Sequence, residues 1–333
     1  MNGSATRPLR ALVIGESLID VLIDGDHRTE KPGGSPMNVA IGLARQGADV
    51  AFVTDLGRDH LADQIELRLV TEGVDVYSPL RHGRRTSVAL ATIDADGNAS
   101  YEFDLTFTLE HTDTPENGLA DFVHFGSIST VIQPGATHVD QLVDTFRPNA
   151  LVSYDPNIRP LIDRDRDAAR ARVDRHAGLA DIVRASADDL AHIHPELLAD
   201  PSRRSESSTE RMIAAATERW LAAGAALVAI TDAERGVHLA TENHRTHMAS
   251  NRPAVVDTVG AGDAFMAGLI SGIDIVGLRR QAHRDELASI DLKTLRTIAC
   301  WAQRTAEYTI GQVGAEPPTS VELLNAERGV RVA

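Results

Sequence analysis

Asp257-Thr258-Val259-Gly260-Ala261-Gly262-Asp263-Ala264-Phe265 follows the short apolar run Ala254-Val255-Val256 and leads into Met266-Ala267-Gly268-Leu269-Ile270-Ser271-Gly272-Ile273. Gly260 and Gly262 permit a tight turn and leave backbone N–H groups free to face a ligand. The stretch that follows reads as a helix whose first turn carries unpaired N–H groups and partial positive charge, a place that suits a phosphate. Asp263 stands at the mouth of this anion hole. A carboxylate there repels a phosphate unless it takes a proton from an attacking hydroxyl, and phosphoryl transfer asks for that pairing of anion hole and base. The plainer reading is a glycine-rich turn with Asp263 as a helix cap, and this segment alone leaves both open. Gly268 and Gly272 share one helix face, so the helix is expected to pack closely against the sheet. A dinucleotide fingerprint does not fit, because its third glycine would fall at Phe265.

Upstream, short apolar runs recur at 11–15 (ALVIG), 50–54 (VAFVT), 122–126 (FVHFG), 151–155 (LVSYD), 181–186 (DIVRAS) and 226–231 (ALVAIT). Such runs read as strands buried on both faces of a parallel sheet. Between them lie stretches with helical spacing. In 36–47 the apolar residues Met37, Ala40, Ile41 and Ala44 follow that spacing, with Pro36 near the start and Gly47 at the end. This alternation predicts a doubly wound α/β sheet. Two segments break the rhythm: 86–93 and 99–104 flank Asp94-Ala95-Asp96-Gly97-Asn98, a hairpin turn sequence, and 21–23 reads as another short strand. Together they predict a small accessory sheet. The polar stretch 200–210 reads as an exposed loop or helix lead-in.

The 333 residues include 33 basic and 48 acidic side chains, a formal net charge of −15. That balance argues against nucleic acid or an anionic membrane as a general partner, since both need a basic face. One cysteine, Cys300, rules out a disulfide framework and a cysteine-rich zinc site. No apolar run reaches the roughly 18 residues of a membrane helix, and the first residues lack a signal-peptide core, so the cytoplasm is the expected location. His283-Arg284-Asp285 mimics a protein-kinase catalytic loop without its other parts and reads as a solvated segment. No P-loop or His-Glu-x-x-His motif occurs, and the 13 histidines show no metal-ligand spacing.

A second glycine-rich segment, Gly33-Gly34-Ser35-Pro36-Met37-Asn38, precedes the 36–47 helix. It permits close backbone approach to a ligand, and the Asn38 amide both donates and accepts. Together GGSPMNVAIGLARQG and DTVGAGDAFMAGL resemble, in order and separation, the two signatures of the PfkB (ribokinase-like) sugar kinases, over nearly the whole chain. The resemblance implies a ribokinase-like three-layer α/β/α Rossmann-like core across 1–333. A small β-sheet lid would be inserted at about 16–32 and 84–106, of a kind that often pairs in a homodimer.

It also implies roles for single residues. Asp263 resembles the catalytic base, and Gly260, Ala261 and Gly262 resemble the anion hole for the γ-phosphoryl group of ATP. Asp20, Gly34 and Asn38 match sugar-binding positions. Ser186 and Asp189 stand where the family has an Asn-x-x-Glu motif tied to Mg²⁺ and phosphate, while Thr231 and Gly236 fall in the nucleotide loop. Asp257 and Val259 match a loop that holds a monovalent cation such as K⁺ in many relatives. Cys300-Trp301-Ala302 replaces an Asn-Ala run that lines the adenine pocket. Asp155-Pro156-Asn157-Ile158-Arg159 resembles an element of fructokinases and 2-keto-3-deoxygluconate kinases, which brings Arg159 to the sugar. The expected activity is ATP-dependent phosphorylation of a primary hydroxyl on a small sugar. A nucleoside kinase and a non-catalytic binding protein on the same scaffold remain alternatives.

Overall fold

The computed structural model describes residues 7–79, 84–93, 99–110, 113–116, 120–198 and 206–327. Among these residues nine strands form the main sheet, in the order Arg245–Met248, Val237–Ala240, Leu227–Thr231, Ile182–Ser186, Leu151–Asp155, Phe122–Gly126, Arg10–Ile14, Asp49–Val53, Val74–Tyr77. The seven strands from Leu227–Thr231 onward pair in parallel, and the first two add antiparallel at one edge. Successive side chains of a strand point to opposite faces, and that alternation builds two cores here. Ala11 and Val13 join one cluster with helices Ser35–Arg45, His60–Thr71, Ala261–Ile275 and Leu292–Thr309. Leu12 and Ile14 join another with helices Gly135–Phe146, Arg166–Ala177, Ala187–Ile193 and Glu206–Ala223. The result is the expected α/β/α sandwich.

The six apolar runs all lie on central strands. The sequence reading did not separate Val74–Tyr77 or the edge pair Val237–Ala240 and Arg245–Met248 as strands. Ala254-Val255-Val256 forms no strand; Val255 and Val256 are exposed.

A second sheet has the order His27–Gly33, Leu18–Asp24, Val88–Ile93, Ala99–Asp104. The strand expected at 21–23 is longer, and the turn expected at 94–98 lies outside the described residues. Residues 200–205 of the polar stretch also lie outside, and Glu206 opens a helix. One face of this sheet packs on the core through Ile19 and Val21, while Asp20 and Leu22 point to the other.

The glycine face of helix Ala261–Ile275 corrects the sequence reading. A Cβ on Gly268 would lie 2.6 Å from Thr305 Oγ1, and one on Gly272 would lie 3.2 Å from the Ile298 carbonyl oxygen. The close neighbour is therefore helix Leu292–Thr309, not the sheet. Spacing along a helix reports that something comes near, without saying what. Among the described residues no helix is long and apolar enough to cross a membrane.

Candidate active site

The parallel strands end at a cavity of about 1170 Å³, in the position where open α/β sheets bind ligands. The turn before helix Ala261–Ile275 lies in its wall. Gly260 has φ 75°, and a Cβ there would sit 2.4 Å from the Ala315 Cβ, so glycine is required twice over. Gly260, Ala261 and Gly262 line the cavity at the N-terminus of the helix, where the Ala261 N–H donates to the Thr258 carbonyl at 3.3 Å and the N–H groups after it belong to the first turn, which has no intrahelical partners. Asp263 is only 5 % exposed yet lines the cavity. It does not cap its own helix. Its Oδ1 accepts from Ser35 Oγ at 2.7 Å and Asn157 Nδ2 at 3.3 Å, and its Oδ2 accepts from Asn38 Nδ2 at 2.7 Å. Burial raises its pKa above the ordinary carboxylate value, against the lowering effect of those donors and of Arg159 and Arg184.

Asn38 and Ser35 belong to helix Ser35–Arg45, so the two glycine-rich segments meet at one carboxylate. Gly34 ahead of that helix has φ 114°, and a Cβ there would lie 2.7 Å from the Glu16 carbonyl oxygen. Beside it stand Asp20, from the small sheet, and Arg159, both lining the cavity. Burial pushes the Asp20 carboxyl up to about 6, with Arg159 opposing and Asp263 reinforcing the shift. Arg159 Nη1 donates to Asn157 Oδ1 at 2.5 Å. Glu16 was not singled out from sequence. Its buried carboxylate lines the same end, accepts from the Ser129 N–H at 3.0 Å, and is pushed by burial to about 7.

At the other end the cavity is lined by Ser186, Thr231 and Gly236, the last with φ 104°. Asp189, expected beside Ser186 at the nucleotide, does not line the cavity. It closes a reciprocal cap on helix Ala187–Ile193: Oδ2 accepts from the Ser186 N–H at 2.8 Å and Oγ at 2.6 Å, and Oδ1 from the Ile158 N–H at 2.8 Å. Asp188, Asp232 and Glu234 are the acidic residues that line the cavity at this corner. The run Cys300-Trp301 also faces elsewhere, lining a separate groove, while Gln303, Ala306 and Glu307 of the same helix line the main cavity. Asp257 lies at its margin: Oδ1 accepts from the Val259 N–H at 3.0 Å and Oδ2 from the Gly314 N–H at 2.9 Å, which keep its pKa low. Val259 itself lines the cavity and is exposed.

Arg184 is a further residue the sequence reading passed over. It sits in the buried strand Ile182–Ser186, lines the cavity, and pairs with Asp155 Oδ2 at 2.8 Å. The available signal was a charge inside an otherwise apolar run. Among the described residues, no group of three His, Cys, Asp or Glu side chains is arranged to hold a metal ion.

Comparison with known proteins shows the family and the fold. Residues 6–320 match the model of the pfkB family of carbohydrate kinases. A fructokinase of Escherichia coli is 30% identical over 91% of this chain and 94% of its own. One of Rhizobium leguminosarum bv. trifolii is 32% identical over 86% and 85%. Among solved structures, a fructokinase with bound ATP from Xylella fastidiosa is 26% identical, with a TM-score of 0.79 over 96% of this chain and 99% of its own.

Proposed function

The chain belongs to the pfkB family of carbohydrate kinases, and from that premise we propose that it transfers the γ-phosphoryl group of ATP to a primary hydroxyl of a small, fructose-like sugar. The observation that carries the reading is the position of Asp263. It is a buried carboxylate on the first turn of a helix, in a cavity shared with Asp20, Asn38 and Arg159. The named relatives being fructokinases supports the sugar class. A 2-keto-3-deoxygluconate-like substrate is the second reading, because the cationic Arg159 would also pair with a sugar carboxylate.

In this mechanism the sugar lies between Asp20, Gly34, Asn38 and Arg159, under the small sheet acting as a lid. Asp263 takes the hydroxyl proton as the oxygen attacks in line. Ser35, Asn38 and Asn157 fix the orientation of its carboxylate, and burial strengthens it as a base. The N–H groups of the turn Gly260-Ala261-Gly262 stabilise charge on the transferring group. Mg²⁺ bound to ATP would be held near Asp188 and Ser186 and would neutralise phosphate charge. Thr231 and Gly236 shape the nucleotide end, and Asp189 contributes by fixing Ser186. A K⁺ ion at Asp257 and the Val259 carbonyl is compatible with an ionised carboxylate that keeps lone pairs beyond its two N–H donors. The exposed outer part of the lid is our choice of homodimer contact.

Asp263→Asn should lower kcat about a hundred- to ten-thousand-fold while sugar binding by calorimetry stays within a few-fold. The measurement is ADP release over fructose, ribose, 2-keto-3-deoxygluconate, inositols and nucleosides. Near-wild-type turnover in the variant would sink the assignment of the base. Release from a nucleoside alone would replace the sugar reading.

A further inference from the structure

We infer that Arg184 is the fixed cation that receives the terminal phosphoryl group, a catalytic residue supplied by the sheet rather than by either glycine-rich segment. The inference rests on the kinase reading of the same cavity. It begins with placement. A permanently charged guanidinium occupies the middle of the sheet, where the strand Ile182–Ser186 is otherwise apolar except at its end, and it is 5 % exposed. Charge is costly in such a position unless it is paired. Nη1 donates to Asp155 Oδ2 at 2.8 Å and Nη2 to Thr231 Oγ1 at 2.6 Å, so the plane of the group is fixed before any ligand enters.

The contact with the motif turn then gives it a direction. A Cβ added to Gly262 would lie 2.8 Å from Nη1, 3.0 Å from Nη2 and 3.1 Å from Cζ. The guanidinium therefore lies against the second residue of helix Ala261–Ile275, beside the N–H groups that face the cavity. Gly262 is glycine because the arginine occupies the space of its side chain. A purely structural partner for Asp155 would need neither that intimacy nor a place in the cavity wall. Its Nε is buried with no hydrogen-bond partner among the described residues, and Nη1 and Nη2 each carry a second N–H beyond the bonds named above.

Charge balance points the same way. Asp155, Asp189 and Asp263 all act on Arg184 through the low-dielectric interior. Without Arg184, an incoming phosphoryl group would meet the Asp263 carboxylate with Arg159, from the opposite end of the site, as the nearby cation. With it, the helix N-terminus and a delocalised cation converge on one spot, the arrangement that stabilises charge developing on a transferring group.

The test compares wild type with Arg184→Met/Asp155→Asn, which removes both members of the buried pair and leaves no orphan carboxylate. Arg184→Gln serves if that variant fails to fold, as judged by ligand-free melting. Calorimetry with ADP and with the non-hydrolysable ATP analogue AMP-PNP, both with Mg²⁺, reads recognition of the terminal phosphate without turnover. The expected result is a loss of at least tenfold in the preference for AMP-PNP over ADP, with sugar affinity kept. The accompanying fall in kcat should be about a hundred- to a thousand-fold, the usual effect of removing one such donor. A folded variant that keeps the preference and a kcat within threefold of wild type overturns the inference. A wild-type protein that prefers AMP-PNP through Arg184 but releases no ADP with any sugar overturns the kinase reading instead and leaves Arg184 where it is put here.

Discussion

Glu16 shows how the site trades stability for function. Its carboxylate is buried at the sugar end, where burial lifts it from 4.5 to about 7 against the pull of Ser127, Ser129 and Arg159. Because the folded state favours the protonated form, the penalty is absent below the unfolded value, grows as pH rises from 4.5 to about 7, and is constant above that. The full shift corresponds to roughly 3 kcal/mol, an upper bound for one group. Glu16→Gln keeps an oxygen to accept from the Ser129 N–H and removes the ionisation. Its melting temperature should exceed that of wild type by several degrees at pH 8 and converge with it near pH 4.5. Parallel melting curves across that range would show that Glu16 ionises in the folded protein without cost. Asp20 and Asp155, both lifted by burial from 3.8 to about 6, act with the same sign, so the ligand-free protein loses stability from these two as pH rises between those values, and from Glu16 between 4.5 and about 7.

At the scale of elements, the helix that presents Asp263 is held by close packing rather than by its own propensity. Gly268 meets Thr305 and Ala302, Gly272 meets Ile298, and Gly42 of helix Ser35–Arg45 meets Ala267. Gly268→Ala would force the first pair of helices apart, and overpacking of this kind costs about 1–3 kcal/mol. Urea unfolding should register that loss, whereas Gly178→Ala, where nothing lies nearer than 3.4 Å, should stay within about 0.5 kcal/mol. Equal stability for both variants would mean that the helix pair can shift freely. These contacts also mark what a linear reading can reach. The six apolar runs announced their strands because a strand buried on both faces has no polar alternation to confuse it. The edge strand Arg245–Met248 carries exposed polar residues, and nothing local distinguishes it from a loop. Asp263 and Asn38 were legible because glycines needed for backbone approach surround them. Ser35 comes from 228 positions away and Asn157 from 106, so their meeting at that carboxylate is a product of the fold. Asp189 shows a related limit: an acid three residues after a serine looks the same in sequence whether it faces a ligand or, as its hydrogen bonds show here, caps a helix.

On the scale of the whole molecule, the small sheet poses a question of solvation. Its register sets Asp20 opposite Ala89 and Phe103, and Leu22 opposite Ala91 and Tyr101, all on one face. The Asp20 row reaches the cavity, where Phe103 and Tyr101 also line the wall. Beyond it the face is open: Leu22 is 41 % exposed, Tyr101 56 % and Phe103 37 %. Isolated exposed apolar residues need no explanation, but these three lie in two adjacent rows of one sheet face, the kind of grouping a partner would cover. In the homodimer proposed above, a second copy would cover those rows and clamp the lid over the sugar, and assembly would then be coupled to the exclusion of water from the transferring phosphoryl group. Leu22→Lys/Tyr101→Lys should therefore give a monomer by sedimentation, raise the sugar KM about tenfold or more, and increase ATP hydrolysis relative to sugar phosphorylation. Sedimentation is the discriminating readout, because a merely damaged lid strand would also admit water but would leave the assembly state unchanged. A wild-type protein that sediments as a monomer at every concentration, with unchanged kinetics in the variant, would mean that the lid closes over the sugar without a partner.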